Sequence, residues 1–302
     1  MASRHRACRT TAVLAATLAI AGLSQAASGE ERFWPPIVDP PTGKHHPGRW
    51  VWGDLVTSDV AKAADFYGKV FGWTFETYGG DDDLDTYTLV LADGLPIGGM
   101  VFDERAIKDA RPSARWVPFV SVPDVATAAA AVTQRGGTVV LAPVMLGERG
   151  MTAVFKDPEG ALFGAVHSRN GDPADYAPDP NEWLWLDLWS DDVARAADFY
   201  AAVVGYTTVP IDGEVLRHGV HLVSGGFARA GIMQKRDERA TPTWLPYVLV
   251  TDVASAVASA RAAGGKILLE PVELKRAKVA IVADPTGAPV GLAEMSGKES
   301  QP

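Results

Sequence analysis

The chain has 302 residues, of which 47% are hydrophobic and 22% charged, with a formal net charge of −9. That length accommodates two ordinary domains, each with its own core, and the composition excludes a disordered or fibrous protein. The acidic balance speaks against nucleic-acid and anionic-membrane partners and mildly favours cationic ligands, besides maintaining solubility.

The first 26 residues differ from the rest. Arg4, Arg6 and Arg9 form a basic start, Thr11 to Leu23 is a largely apolar run, and Ser24-Gln25-Ala26 offers small residues at a cleavage site. This pattern predicts a secretory signal peptide, because the apolar run is too short to span a bilayer. Export to the periplasm or beyond, with no membrane association after cleavage, is the expectation. Removing the three arginines, with no acidic residue lost, takes the formal net charge from −9 to −12. Cys8, the one cysteine, goes with the leader, so disulfides and thiol chemistry are excluded from the mature chain. Residues 27–47, with Pro35-Pro36, Pro40-Pro41 and His45-His46, read as an irregular leader.

Four modules follow. Asp-Val-Ala occurs at residues 59, 124, 192 and 252, each time between an aromatic, β-branched run and an alanine-rich amphipathic segment. Asp is a good helix N-cap, and Gly72, Gly136, Gly205 and Gly264 stand where a helix ends in a left-handed residue. In the first helix Val60, Ala63, Ala64, Tyr67 and Phe71 share one face; Val193, Ala196, Ala197, Tyr200 and Val204 do so in the third. Each module reads as strand, helix and about three strands. Asp157-Pro158-Glu159-Gly160 and Asp284-Pro285-Thr286-Gly287 mark β-turns. The order is A-B-A-B. The expected domains are 48–168 and 182–296, joined by a linker at 169–181 and followed by a tail at 297–302.

A paired and duplicated βαβββ module with D-x-x-x-A-x-x-F-Y-x-x-x-x-G-[WY] and D-P-x-G resembles the vicinal oxygen chelate (VOC) superfamily, which includes glyoxalase I, extradiol dioxygenases and bleomycin-binding proteins. The W-x-D/E-L motif, here Trp52-Gly53-Asp54-Leu55 and Trp185-Leu186-Asp187-Leu188, is most similar to tandem two-domain members. The resemblance implies an α+β fold, in which each pair of modules forms a cupped sheet with helices outside and the ligand inside. It also locates the family's metal ligands. The equivalent positions here are Trp52, Val117, Trp185, Leu245, Gly164 and Gly291, none of which donates to a cation. No metal and no cofactor are therefore expected. His218, His221, His167 and the His45-His46 pair do not assemble a replacement site.

Strand alternation places Trp50, Trp52 and Asp54 on the cup side of the first strand, and Trp183, Trp185 and Asp187 on the cup side of its copy. The same parity points Phe119, Ser121, Tyr247 and Leu249 inward. Such a cup suits a flat or cationic organic ligand through stacking and cation–π contact; the competing reading is that these aromatics only fill the interior. Three functions stay open. The first is a metal-free binding protein that sequesters or carries a small molecule, as a monomer or homodimer. The second is a metal-independent isomerase, lyase or hydroxylase with Asp54 or Asp187 as general base. The third is a glyoxalase-like lyase with new metal ligands.

Overall fold

The structure, a computed structural model, describes residues 34–79, 86–103, 114–211, 219–235, 237–238 and 240–296. The expected signal peptide, the first residues of the leader, His218 and the tail lie outside these ranges. The first half runs β1 (Trp50–Thr57), α1 (Val60–Phe71), β2 (Thr74–Tyr78), β3 (Tyr87–Ala92), β4 (Leu95–Phe102), β5 (Arg115–Ser121), α2 (Val125–Gln134), β6 (Thr138–Leu146), β7 (Gly150–Lys156) and β8 (Leu162–Ser168). The second repeats it as β9 (Trp183–Ser190), α3 (Val193–Val204), β10 (Thr207–Pro210), β11 (Gly219–Ser224), β12 (Phe227–Gln234), β13 (Thr243–Leu249), α4 (Val253–Ala262), β14 (Lys266–Glu273), β15 (Ala277–Ala283) and β16 (Pro289–Met295).

The local signals account for these elements. Asp59, Asp124, Asp192 and Asp252 each cap a helix by accepting a hydrogen bond from the backbone N–H three residues on. Gly72 (φ 72°) and Gly205 (φ 88°) end α1 and α3 in the left-handed region, where a side chain is disfavoured. In both DPxG turns the aspartate Oδ1 accepts from backbone N–H groups inside the turn, closing the β7–β8 and β15–β16 hairpins.

Each half forms one eight-stranded sheet, ordered β2-β3-β4-β1-β5-β8-β7-β6 and β10-β11-β12-β9-β13-β16-β15-β14. The helices lie on the outer face of each cup, and these outer faces are buried against each other. One core cluster joins residues of α2 and its strands to α3 and its strands; another joins α1 to α4. The F-Y and D-P-x-G motifs meet across this boundary. The Trp244 indole donates to the Tyr200 hydroxyl (2.9 Å), which donates to Asp157 of the other half (3.2 Å). In the matching place Trp116 donates to Tyr67 (2.9 Å), which faces Asp284 of the other half.

Candidate functional site

The duplicated first strands bend before they reach the cups. Trp50 pairs with Val120 and Trp52 with Phe119, so Val51 is an extra residue on β1; Leu184 is its counterpart on β9. A bulge of this kind reverses the alternation. Val51 and Leu184 therefore belong to the cup clusters. Trp50 turns away to pack on Trp244 (4.6 Å between ring centroids), and Trp183 packs on Trp73 and Trp116 (5.0 Å each). This corrects the cup-facing placement of Trp50 and Trp183. Trp52, Asp54, Phe119, Trp185, Asp187 and Tyr247 do lie on the cup side. Ser121 is buried with its Oγ unpartnered, and Leu249 is partly exposed, its backbone anchoring residues 181–182.

The first cup is filled by its own chain. Trp34 and Ile37 of the leader enter it beside Trp52, Tyr87 and Phe119. Arg149, in a 3₁₀ turn before β7, is 1% exposed and pairs with Asp54 (Nη1 to Oδ2, 2.8 Å). Its Cζ stands 4.9 Å from the Trp34 ring centre, 5.2 Å from Trp52, 4.9 Å from Tyr87 and 6.0 Å from Phe119. A guanidinium so enclosed is held by cation–π attraction as well as by its carboxylate. Burial pulls its pKa down, but Asp54 and Tyr87 together outweigh that and leave it above the usual arginine value. Asp54 Oδ1 also accepts from Trp52 Nε1 (2.9 Å) and the Tyr87 hydroxyl (2.7 Å). Both oxygens of that carboxylate thus have donors from its own chain.

The second cup has the same carboxylate without the cation. Asp187 Oδ1 accepts from Trp185 Nε1 (2.7 Å), and Tyr247 stands beside the carboxylate. Burial pushes its pKa up to about 6, against which Trp185 and Tyr247 pull only partly. Trp185, Asp187, Trp189 and His221 all keep partial exposure. Register places His221 opposite Gly231 and Gly231 opposite Asp187, so the three lie side by side on one face. A Cβ on Gly231 would come within 2.3 Å of Asp187 Oδ1; the glycine is the space into which the carboxylate leans. The His221 ring stands edge-on to Trp185 (5.6 Å, 85°), its Nδ1 has no partner, and burial lowers its pKa.

Arg149, Trp34 and Ile37 were not singled out from the sequence, and His221 was weighed there only as a metal ligand. Arg149 could have been, since Arg276 stands at the same distance before the second DPxG turn. The place of His221 beside Asp187 could not be read, because its strand is legible but its face depends on register.

A fold-family metal does not fit these cups. Where metal-dependent relatives carry a glutamate, a Cβ on Gly164 would lie 2.1 Å from Phe119 Cδ1, and one on Gly291 2.1 Å from Tyr247 Cδ1. An aromatic ring thus occupies the space such a ligand needs. Among the described residues no group of three or more His, Cys, Asp or Glu side chains is placed to hold an ion.

A further cavity of about 550 Å³ lies between the two halves. Trp50, Trp52, Trp183 and Trp185 all border it, together with Arg49, Arg229, the leader around Ile37 to Thr42 and the linker around Pro173 to Pro178. Its size is that of an ordinary small-molecule pocket. Asp175 binds Arg229 (2.8 Å) and Arg49 (3.5 Å) at this border.

Comparison with known proteins agrees with this architecture. Residues 45–164 match the family model of the Glyoxalase/Bleomycin resistance protein/Dioxygenase superfamily, and residues 183–293 match a glyoxalase-like domain. The chain is 26% identical over 250 residues to the Mycobacterium tuberculosis protein named "Putative glyoxylase CFP32", covering 82% of this chain and 95% of that one. It is 29% identical over 263 residues to the anthracycline biosynthesis protein DauV of Streptomyces sp. (strain C5), covering 82% and 94%. The fold is shared with the Mn(II)-bound glyoxalase from Novosphingobium aromaticivorans (TM-score 0.58, 16% identity, 82% of each chain). Among the described residues, no helix is long and apolar enough to cross a membrane. The chain belongs to the VOC superfamily, of which it is a tandem two-domain member.

Proposed function

We propose that this chain is an exported VOC protein that binds a small organic molecule, flat or cationic, in its second cup and so carries or sequesters it. The asymmetry of the two cups carries this reading. Trp34, Ile37 and Arg149 fill the first, while the second keeps Trp185, Asp187, Trp189 and His221 within reach of solvent. Export rests on the leader pattern alone, and N-terminal sequencing of secreted protein beginning at Met1 would count against it. The name of the Streptomyces relative supports a flat polycyclic ligand, and the tryptophan-bordered cavity beside Trp185 offers such a ligand room to extend. Native mass spectrometry of protein from periplasmic extract tests the reading. Retained ligand should vanish in Trp185→Ala and persist in Trp50→Ala; the reverse pattern would move the site to the cavity between the halves.

A second reading has its own support. A carboxylate whose pKa burial raises to about 6, on a residue that keeps partial exposure, is poised to take a proton near neutral pH. Asp187 is then the general base of a metal-independent isomerase, lyase or hydroxylase; Asp54, tied to Arg149, is not free for that work. Turnover of a bound ligand that falls by about 10²-fold or more in Asp187→Asn would select this reading, whereas binding without turnover would leave the first.

A further inference from the structure

Building on the proposal that the second cup binds a small organic molecule, we infer that its ligand carries a guanidinium or primary ammonium group that pairs with Asp187, in the place Arg149 takes beside Asp54. The protein holds a copy of the complex within itself. Trp52, Asp54 and Phe119 of the first cup correspond to Trp185, Asp187 and Tyr247 of the second. The indole-to-carboxylate bond is the same in both, 2.9 Å in the first and 2.7 Å in the second. In the first cup this arrangement encloses a guanidinium. In the second, Arg276 stands at the sequence position of Arg149 but is exposed, and no ion pair reaches Asp187 among the described residues.

The differences between the cups describe the rest of the ligand. Register puts Gly219 at the place of Tyr87, removing one wall of the cage and its hydroxyl. The leader supplies Trp34 and Ile37 to the first cup, whereas the second cluster contains no leader residue. His221 replaces Leu89, and Trp189 stands where the first copy has Val56. The second cup is therefore wider on one side and keeps aromatic edges on the other. The Met233 side chain stands where a Cβ on Gly219 would point (Sδ 2.7 Å), so the cation should hang from an aromatic or branched apolar body that fills the volume Trp34 takes in the first cup. A bare ammonium ion or a divalent metal would leave that volume empty.

The test is calorimetric titration of the mature protein with 2-phenylethylguanidinium and with its neutral isostere 2-phenylethylurea. One equivalent of the guanidinium should bind per chain, at least ten-fold more tightly than the urea. Asp187→Asn, which keeps the side chain's shape, should bring the two affinities together, and Arg276→Ala should leave the guanidinium affinity unchanged or improved. Gly231→Ala, which displaces the carboxylate without changing its charge, should weaken the guanidinium in parallel. Equal affinity for guanidinium and urea in the wild type would overturn the inference while leaving a small-molecule site in place. Binding of neither probe, with a neutral polycyclic ligand retained from extract, would also overturn it. Loss of guanidinium binding in Arg276→Ala would show that Arg276 belongs to the site and would equally refute the template.

Discussion

Asp54 and Asp187 are copies of one residue that differ in what their surroundings add. The Arg149 guanidinium, the Trp52 indole and the Tyr87 hydroxyl surround the first, so breaking the ion pair leaves a buried charge unmatched. Asp54→Asn should cost about 3–5 kcal/mol in chemical denaturation while leaving ligand binding untouched. Asp187→Asn should do the opposite. Its pKa is raised from 3.8 to about 6, so between those values the folded state binds more protons than the unfolded state. Stability contributed by the protonated form is therefore complete below about pH 4, declines as pH rises to about 6 and is flat above it. The loss is about 3 kcal/mol at most. Melting curves of wild type and Asp187→Asn should converge at pH 4 and separate by pH 7, with the variant more stable. Cation affinity should run the other way, rising as pH passes through about 6. Tyr247, whose pKa burial raises, stays neutral there, and His221, whose pKa burial lowers, adds opposing charge only on the acid side.

At the scale of elements, glycines decide which side chains the sheets can carry. Tyr87 lies over Gly99, Phe119 over Gly164, Asp187 over Gly231 and Tyr247 over Gly291. Each pairs a large group with a neighbour that yields its Cβ volume. Installing the family's glutamate as Gly291→Glu should therefore fail to create a metal site, because Tyr247 already occupies that space. Metal content measured by elemental mass spectrometry should stay at background in Gly291→Glu. The bulges at Val51 and Leu184 are the other decisive feature. They reassign Trp50 and Trp183 to the packing between the halves, where the Trp183 indole donates to the Ile97 carbonyl (3.0 Å). The leader behaves as an element too. Asp172 accepts from His46 N–H (2.6 Å) and Ser168 (3.0 Å), and its backbone bonds Lys44 and Thr42. His45 stacks on His167 at 4.4 Å. This seat delivers Trp34 to the first cup, and Trp34→Ala should cost about 3–5 kcal/mol.

Across the whole molecule the helices are outside both cups yet inside the protein, because each half covers the helical face of the other. Neither half then has a complete exterior of its own. Calorimetry of the full chain should show one unfolding transition, and the second half alone should expose apolar surface and aggregate. Tyr200→Phe leaves Trp244 and Asp157 without their shared partner; the transition should shift down by about 1–3 kcal/mol without splitting. A split transition would mean that the two halves fold independently.

The four modules, their helix caps, their glycine stops and their DPxG turns were legible in the sequence, because each depends on residues close together in the chain. Asp59 and Gly72 define α1 whatever surrounds it. The absence of donor side chains at the six family metal positions was equally plain, being a matter of residue identity. Tertiary structure decided everything that needed a partner. A one-residue bulge reversed Trp50 and Trp183, which strand alternation alone would have kept in the cups. Arg149, 95 residues from Asp54 along the chain, neutralised one of two identical carboxylates. The leader plugged one cup, and register set His221 beside Gly231 and Asp187 in the other. The duplicated sequence made two similar cups; long-range packing made one of them a closed core and left the other with its carboxylate unneutralised.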